Sequence, residues 1–68
     1  MPENHNPSKN LTPKEIEVLQ LLKHGYLYKE IAHLQQIKMD TVKKHARNIY
    51  KKLHVRNRTE AVNKMYMA

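Results

Sequence analysis

The segment from about Met39 to Leu53 constrains this chain more than any other. Val42, Ala46, Ile49 and Leu53 recur at steps of three and four, with His45 alongside, while Asp40, Lys43, Lys44, Arg47 and Lys51 fall on the opposite side. Those steps return to one face of an α-helix. A helix divided in this way needs other elements to cover its oily side, and it presents its cationic side to solvent or to a partner. Phe and Trp are absent, strand-type alternation is missing, and the same apolar spacing recurs elsewhere, so the expected fold is all-α with four helices.

The first helix has the clearest start. Thr12 can cap, Pro13 suits the first helical position, and Glu15 completes a Thr-x-x-Glu capping box. Leu11 can fold back as a hydrophobic staple. Val18, Leu19 and Leu22 form an apolar stripe with Ile16 and Leu21 at its edges, and Gly25 suits a left-handed stop. A second, short helix is expected from about Tyr28 to Gln35, with Ile31 and Ala32 inward. A turn around Gln36–Lys38 follows, plugged by Ile37. The fourth helix is expected to be capped by Thr59 or to start near it, and to present Ala61, Val62 and Met65 on one face. Residues 1–10, with two prolines, three asparagines and no apolar residue beyond Met1, read as a flexible tail or linker remnant. Residues 11–68 read as the folded domain.

The formal net charge is +7, and its location matters more than its size. Lys38, Lys43, Lys44, Arg47, Lys51, Lys52, Arg56 and Arg58 meet a single acid, Asp40, in one stretch, while the basic and acidic residues elsewhere cancel. A neutral body with one basic segment fits a polyanion partner, although a merely solvated basic face is an equal alternative on charge alone. There is no cysteine, hence no disulfide or thiolate site, which fits a reducing cytoplasm. No apolar run approaches the roughly 18–20 residues of a membrane span, and no signal-peptide pattern opens the chain. A soluble, cytoplasmic protein that does not engage a membrane is expected.

Two helices joined by a short turn, the second basic and amphipathic, form the layout of a helix-turn-helix. The DNA major groove, about 12 Å wide, accepts one helix side-on. Lys43, Lys44 and Arg47 lie in the first half of the third helix, where such motifs meet base edges. Arg can fork to guanine and Lys can reach the same acceptors. Lys51, Lys52, Arg56 and Arg58 come later and suit phosphates.

The segments LTPKEIEVLQLL, KEIA and I-x-x-x-TVKKH-x-x-NIYKKLHVRNRTEAV resemble, in order and spacing, the LuxR/GerE-type DNA-binding domain. That domain is the effector domain of many response regulators and quorum-sensing regulators. The similarity runs from about Leu11 to Met65. It implies sequence-specific binding of double-stranded DNA for transcription regulation, with Lys29–Gln35 as scaffold helix and Met39–Leu53 as recognition helix. It implies base contacts by Lys43, Lys44 and Arg47, and backbone contacts at or beside Thr41, Lys51, Arg56 and Arg58. It further implies a homodimer on DNA through the fourth helix, around Ala61, Val62, Met65 and Tyr66, with RNA polymerase as a further candidate partner. No cofactor and no small-molecule ligand are implied for this domain. The chain departs from the family pattern at Leu27-Tyr28 (for a Ser-Asn-like pair), Gln35 (for leucine), Gln36 (for glycine or a small residue) and Lys38 (for a Ser/Thr cap).

Blander readings apply to several residues. His45 reads as partly buried and structural. His5, His24, His33 and His54 lack metal-ligand spacing. Tyr26, Tyr28, Tyr50 and Tyr66 read as rings packed on a small core with exposed hydroxyls rather than as base-stacking platforms. Met67 reads as a frayed end. Glu15 and Glu17 are two apart on a helix and point in different directions, and nothing else suggests an enzyme. Two rival readings are a sigma-factor-like module, which shares the LT-x-x-E-x-x-V opening, and non-specific binding to polyanions or anionic membranes. The match from Val42 through Val62 argues against the sigma-factor module and the lack of an exposed hydrophobic wedge against the membrane, which favours sequence-specific duplex binding over both.

Overall fold

The computed structural model describes residues 10–67, the side chain of Met67 excepted. It contains α1 (Pro13–Lys23), α2 (Tyr28–Gln35), α3 (Met39–Leu53) and α4 (Arg58–Val62), and α4 runs on into a π-helical segment, Asn63–Met67. No strand occurs among the described residues. The expected tail lies outside them, except for Asn10.

The helix ends follow local chemistry. At the start of α1, Thr12 Oγ1 accepts from the Glu15 N–H at 3.1 Å and Glu15 Oε1 accepts from the Thr12 N–H at 3.0 Å. This closes the capping box that the sequence predicts, and Leu11 is buried beside it. The helix stops at Gly25, whose φ of 91° is reached without penalty only by a residue lacking Cβ. Leu27 has no capping side chain, but Glu30 Oε1 accepts from its N–H at 2.7 Å, so half of a capping box serves where no Ser or Asn is present. The fourth helix is capped by Asn57, not Thr59. Asn57 Oδ1 accepts from the Glu60 N–H at 2.9 Å, and the helix starts at Arg58, near the expected position. The reason is reach: an Asx oxygen one residue before the helix meets the third amide inside it.

Between α2 and α3 the chain reverses through Gln36, which takes the left-handed conformation (φ 57°, ψ 45°). The Ile37 N–H then donates to the Ala32 carbonyl at 3.0 Å. A residue with a Cβ occupies a conformation that glycine adopts more cheaply. His54 closes α3 in the same way, with φ 59°.

The four helices converge on one core. Val18, Leu19 and Leu22 of α1, Ile31 and Ala32 of α2, Val42, Ile49 and Leu53 of α3 and Ala61 of α4 are buried together. α3 packs against α1, α2 and α4, and its Ala46 is also buried. Each large member contributes about 1.5–3 kcal/mol by leaving water. Gln35, at a position where the family resemblance implies leucine, takes a different job: its Oε1 accepts from Lys14 Nζ at 2.7 Å, bridging α2 to α1, while Leu34 is left about half exposed.

The left-handed sites predict opposite responses to small substitutions. Gln36→Gly should raise stability by about 0.5–1 kcal/mol, the relief of strain exceeding the entropy that glycine adds to the unfolded chain. Gly25→Ala should lower it by about 1 kcal/mol. Urea unfolding at constant slope measures both, and a destabilised Gln36→Gly protein would show that the Gln36 side chain holds the turn by contacts of its own.

Candidate nucleic-acid interface

The outward face of α3 follows from its buried one. With Val42, Ala46, Ile49 and Leu53 against the core, Asp40, Lys43, Lys44, Arg47 and Lys51 are exposed, Thr41 and Asn48 are partly exposed, and His45 is half-buried at the edge. Lys43, Lys44, Arg47 and Lys51 make no side-chain hydrogen bond or ion pair among the described residues. They form one row, because steps of three and four along a helix return to the same side.

The remaining predicted contacts divide. Arg56 is exposed just beyond α3. Lys52 turns back instead: its Nζ lies 2.8 Å from Glu15 Oε1, and its side chain is 34% exposed against 5% for Glu15. Burial alone would raise the pKa of the Glu15 carboxyl. The Lys52 ammonium and hydrogen bonding to Thr12 outweigh it and hold the group below its ordinary 4.5. Arg58 is committed more fully. Its Nε–H and Nη2–H donate to the Leu22 carbonyl at 3.1 and 2.9 Å, and Nη2–H also donates to the Tyr26 carbonyl at 2.7 Å. These carbonyls belong to the end of α1 and its exit loop, where the dipole is negative, and the Leu22 carbonyl also accepts from the Gly25 N–H at 3.0 Å. Both residues were expected to face phosphates, and in the structure both are engaged by partners within the domain.

A third cation acts in the same manner. Lys64 Nζ donates to the Leu53 carbonyl at 2.7 Å at the end of α3, a contact that sequence reasoning missed. Its signal was a lysine on the last helix, which spacing alone cannot aim. The tyrosines also differ from expectation. Tyr28 and Tyr50 place their hydroxyl oxygens 3.4 Å apart, joining α2 to α3. Burial and this neighbour push the Tyr50 pKa up. The Tyr66 hydroxyl is buried without a partner among the described residues, its pKa is raised by that burial, and Lys23 Nζ sits 4.4 Å from its ring centroid.

Of the four residues assigned to a dimer contact, Ala61 is fully buried inside the monomer and has no surface left for a second chain. Val62, Met65 and Tyr66 are partly buried against the same core. The exposed positions of the last helix are Thr59, Glu60, Asn63 and Lys64. Among the described residues there is no cluster of three or more potential metal ligands, and no helix is long and apolar enough to cross a membrane.

Comparison with known proteins fits this geometry. Residues 9–65 match the family described as bacterial regulatory proteins, luxR family. The response regulator protein VraR of Staphylococcus aureus (strain Mu3 / ATCC 700698) is 48% identical over 52 residues, covering 76% of this chain and 25% of that protein. The proteins of the same name from Staphylococcus saprophyticus and Staphylococcus epidermidis give the same figures, 48% identity over 76% of this chain and 25% of theirs. The chain thus spans about a quarter of the length of the curated relatives it matches.

The Lys52–Glu15 pair carries a pH dependence of defined sign. A carboxyl whose folded pKa lies below 4.5 adds stability that is fully present above its unfolded pKa and lost as pH falls through the folded value. Glu15→Gln should therefore cost about 1–2 kcal/mol near pH 7, discounted for the exposure of Lys52. The gap between the two proteins should narrow below pH 4.5. Unfolding free energies across that range measure this, and a gap that stays constant would mean that the pair does not titrate with folding.

Proposed function

Because the chain belongs to the luxR family of bacterial regulatory proteins, we propose that it reads double-stranded DNA by seating α3 in the major groove. Membership makes it a helix-turn-helix DNA-binding domain of transcription regulation and not an enzyme. The supporting observation for the finer reading is the row of Lys43, Lys44, Arg47 and Lys51, exposed and without partners among the described residues, directly behind which α3 is fixed by its buried stripe.

In this reading Lys43, Lys44 and Arg47 meet base edges. The Arg47 guanidinium forks to the O6 and N7 of guanine, and the lysines reach the same acceptors as point donors. Lys51 and Arg56 neutralise phosphates, with the Thr41 hydroxyl beside them, and this sequence-independent attraction provides affinity and register. Lys52 and Arg58 support the reading helix from behind, the first by tying α3 to α1, the second by tying α4 to the α1–α2 loop. Two copies assemble on paired half-sites through the last helix, with Val62, Met65 and Tyr66 flanking the contact and the exposed Thr59 and Asn63 completing it. The cytoplasm is the site of action, with RNA polymerase the further partner near a promoter.

Binding-site selection from a random duplex pool, followed by titrations at several salt concentrations, tests the roles. Arg47→Ala or Lys44→Ala should reduce discrimination between selected and random DNA by about 1–3 kcal/mol. Lys51→Ala should weaken binding to all sequences and flatten the salt dependence by about one unit of slope. Lys52→Ala and Arg58→Ala should leave the slope nearly unchanged while lowering the unfolding midpoint. Equal losses on selected and random DNA for every variant would remove this division of labour.

The dimer is tested separately. Asn63→Arg, at an exposed position, should weaken cooperative binding to paired half-sites by about 1 kcal/mol or more through like-charge contact and leave binding to a single half-site unchanged. Gel shifts on both probes and sedimentation of the complexes read this, and unaltered cooperativity would exclude the last helix as the contact.

A further inference from the structure

Most of the acids in this domain have an assignment. Glu15 closes the α1 capping box and pairs with Lys52. Glu30 holds the start of α2. Glu60 Oε1 accepts from the Arg56 N–H at 2.8 Å. Asp40 is different. It is exposed in the first turn of α3, and its carboxylate makes no ion pair or side-chain hydrogen bond among the described residues. Yet it lies three, four and seven residues before Lys43, Lys44 and Arg47, so it shares their face and precedes them along the row. An acid there lowers attraction to every phosphate, and a surface serving affinity alone gains nothing from it.

We propose that Asp40 is a specificity-determining residue whose carboxylate accepts a hydrogen bond from the N4 amino group of a cytosine at the edge of the half-site. This inference rests on the reading of α3 as the recognition helix. The chemistry follows from the groove. Cytosine offers an amino donor there, and an ionised carboxylate is an acceptor only, so it matches that donor and opposes the O6 and N7 acceptors of guanine and the O4 of thymine. Where cytosine is absent, the charge remains desolvated and faces acceptors. Asp40 therefore acts mainly by rejecting wrong sequences, while the cations behind it supply the attraction. The plainer role, an acid at a helix N-terminus complementing the dipole, affects folding and predicts no base preference.

The test is selection from a random duplex pool with the wild-type chain, Asp40→Asn and Asp40→Ser, with the unfolding midpoint of each measured in parallel. Serine keeps a good residue for a helix start without the charge, and asparagine keeps the shape while adding a donor. The expected result has three parts. The wild type selects a half-site with a fixed cytosine at one edge. Both variants relax that position, with asparagine admitting adenine, and discrimination there falls by at least about fivefold. Affinity for random DNA rises in both variants. If the wild type enriches a motif and the variants enrich the same one with equal discrimination, the Asp40 inference is overturned and the recognition helix stands. If the wild type enriches nothing, the recognition reading is overturned and this inference with it.

Discussion

The seating of α3 is the constraint on which the rest depends. Val42, Ala46, Ile49 and Leu53 are almost completely shielded from water, held by residues from the other three helices. A helix with this sequence has no reason to persist alone, because most helical stability in short elements comes from packing one face. Burying that stripe fixes the rotation of α3 about its own axis, and rotation alone decides which side chains face outward. The cationic row is thus a consequence of the apolar one. A shift of a single residue in the buried set would turn the row by about 100° and scatter it.

Seating also creates a problem at the helix ends, which two cations address, while a third pairs with a buried acid. Terminal carbonyls near a core lose water, and an unsatisfied buried acceptor costs about 1–3 kcal/mol. Arg58 serves the end of α1, Lys64 the end of α3, and Lys52 reaches the buried Glu15. Each contact joins elements distant in sequence, so each also fixes a helix relative to its neighbours. The Tyr28–Tyr50 contact adds a link across the turn between α2 and α3. These groups orient the face that the lysines and Arg47 occupy, without belonging to it.

Helix positions and core were legible because their signals are local or periodic. Thr12, Pro13 and Glu15 announce a helix start within four residues, and the 3–4 spacing of α3 reports its buried side. What escaped was three-dimensional. Asn57 and Thr59 are both good caps, and only the path of the loop after His54 decides between them. Gln35 stands where an apolar residue is expected, and only the nearness of Lys14 makes a polar one acceptable. Ala61 shares the helix face assigned to a second chain, yet that face is the one this monomer buries. Lys52 and Arg58 looked equivalent to Lys51 and Arg56, since a wheel gives direction around a helix but says nothing of what a long flexible side chain can reach.

That last distinction changes how the charge of the domain should be counted. Lys38, Lys43, Lys44, Arg47, Lys51 and Arg56 are exposed, while Lys52 and Arg58 are occupied within the fold. Counterion release depends on cations that can reach phosphates, not on formal charge, so the +7 of the chain overstates its electrostatic grip on a duplex. A moderate grip favours selectivity. Non-specific attraction is the same at every site along DNA, and each cation diverted to internal structure lowers that background without weakening the contacts made to bases. In the proposed reading, the internal hydrogen bonds of Arg58 and Lys52 sharpen the α3 face in two ways, by holding α3 in place and by engaging their own charges within the fold.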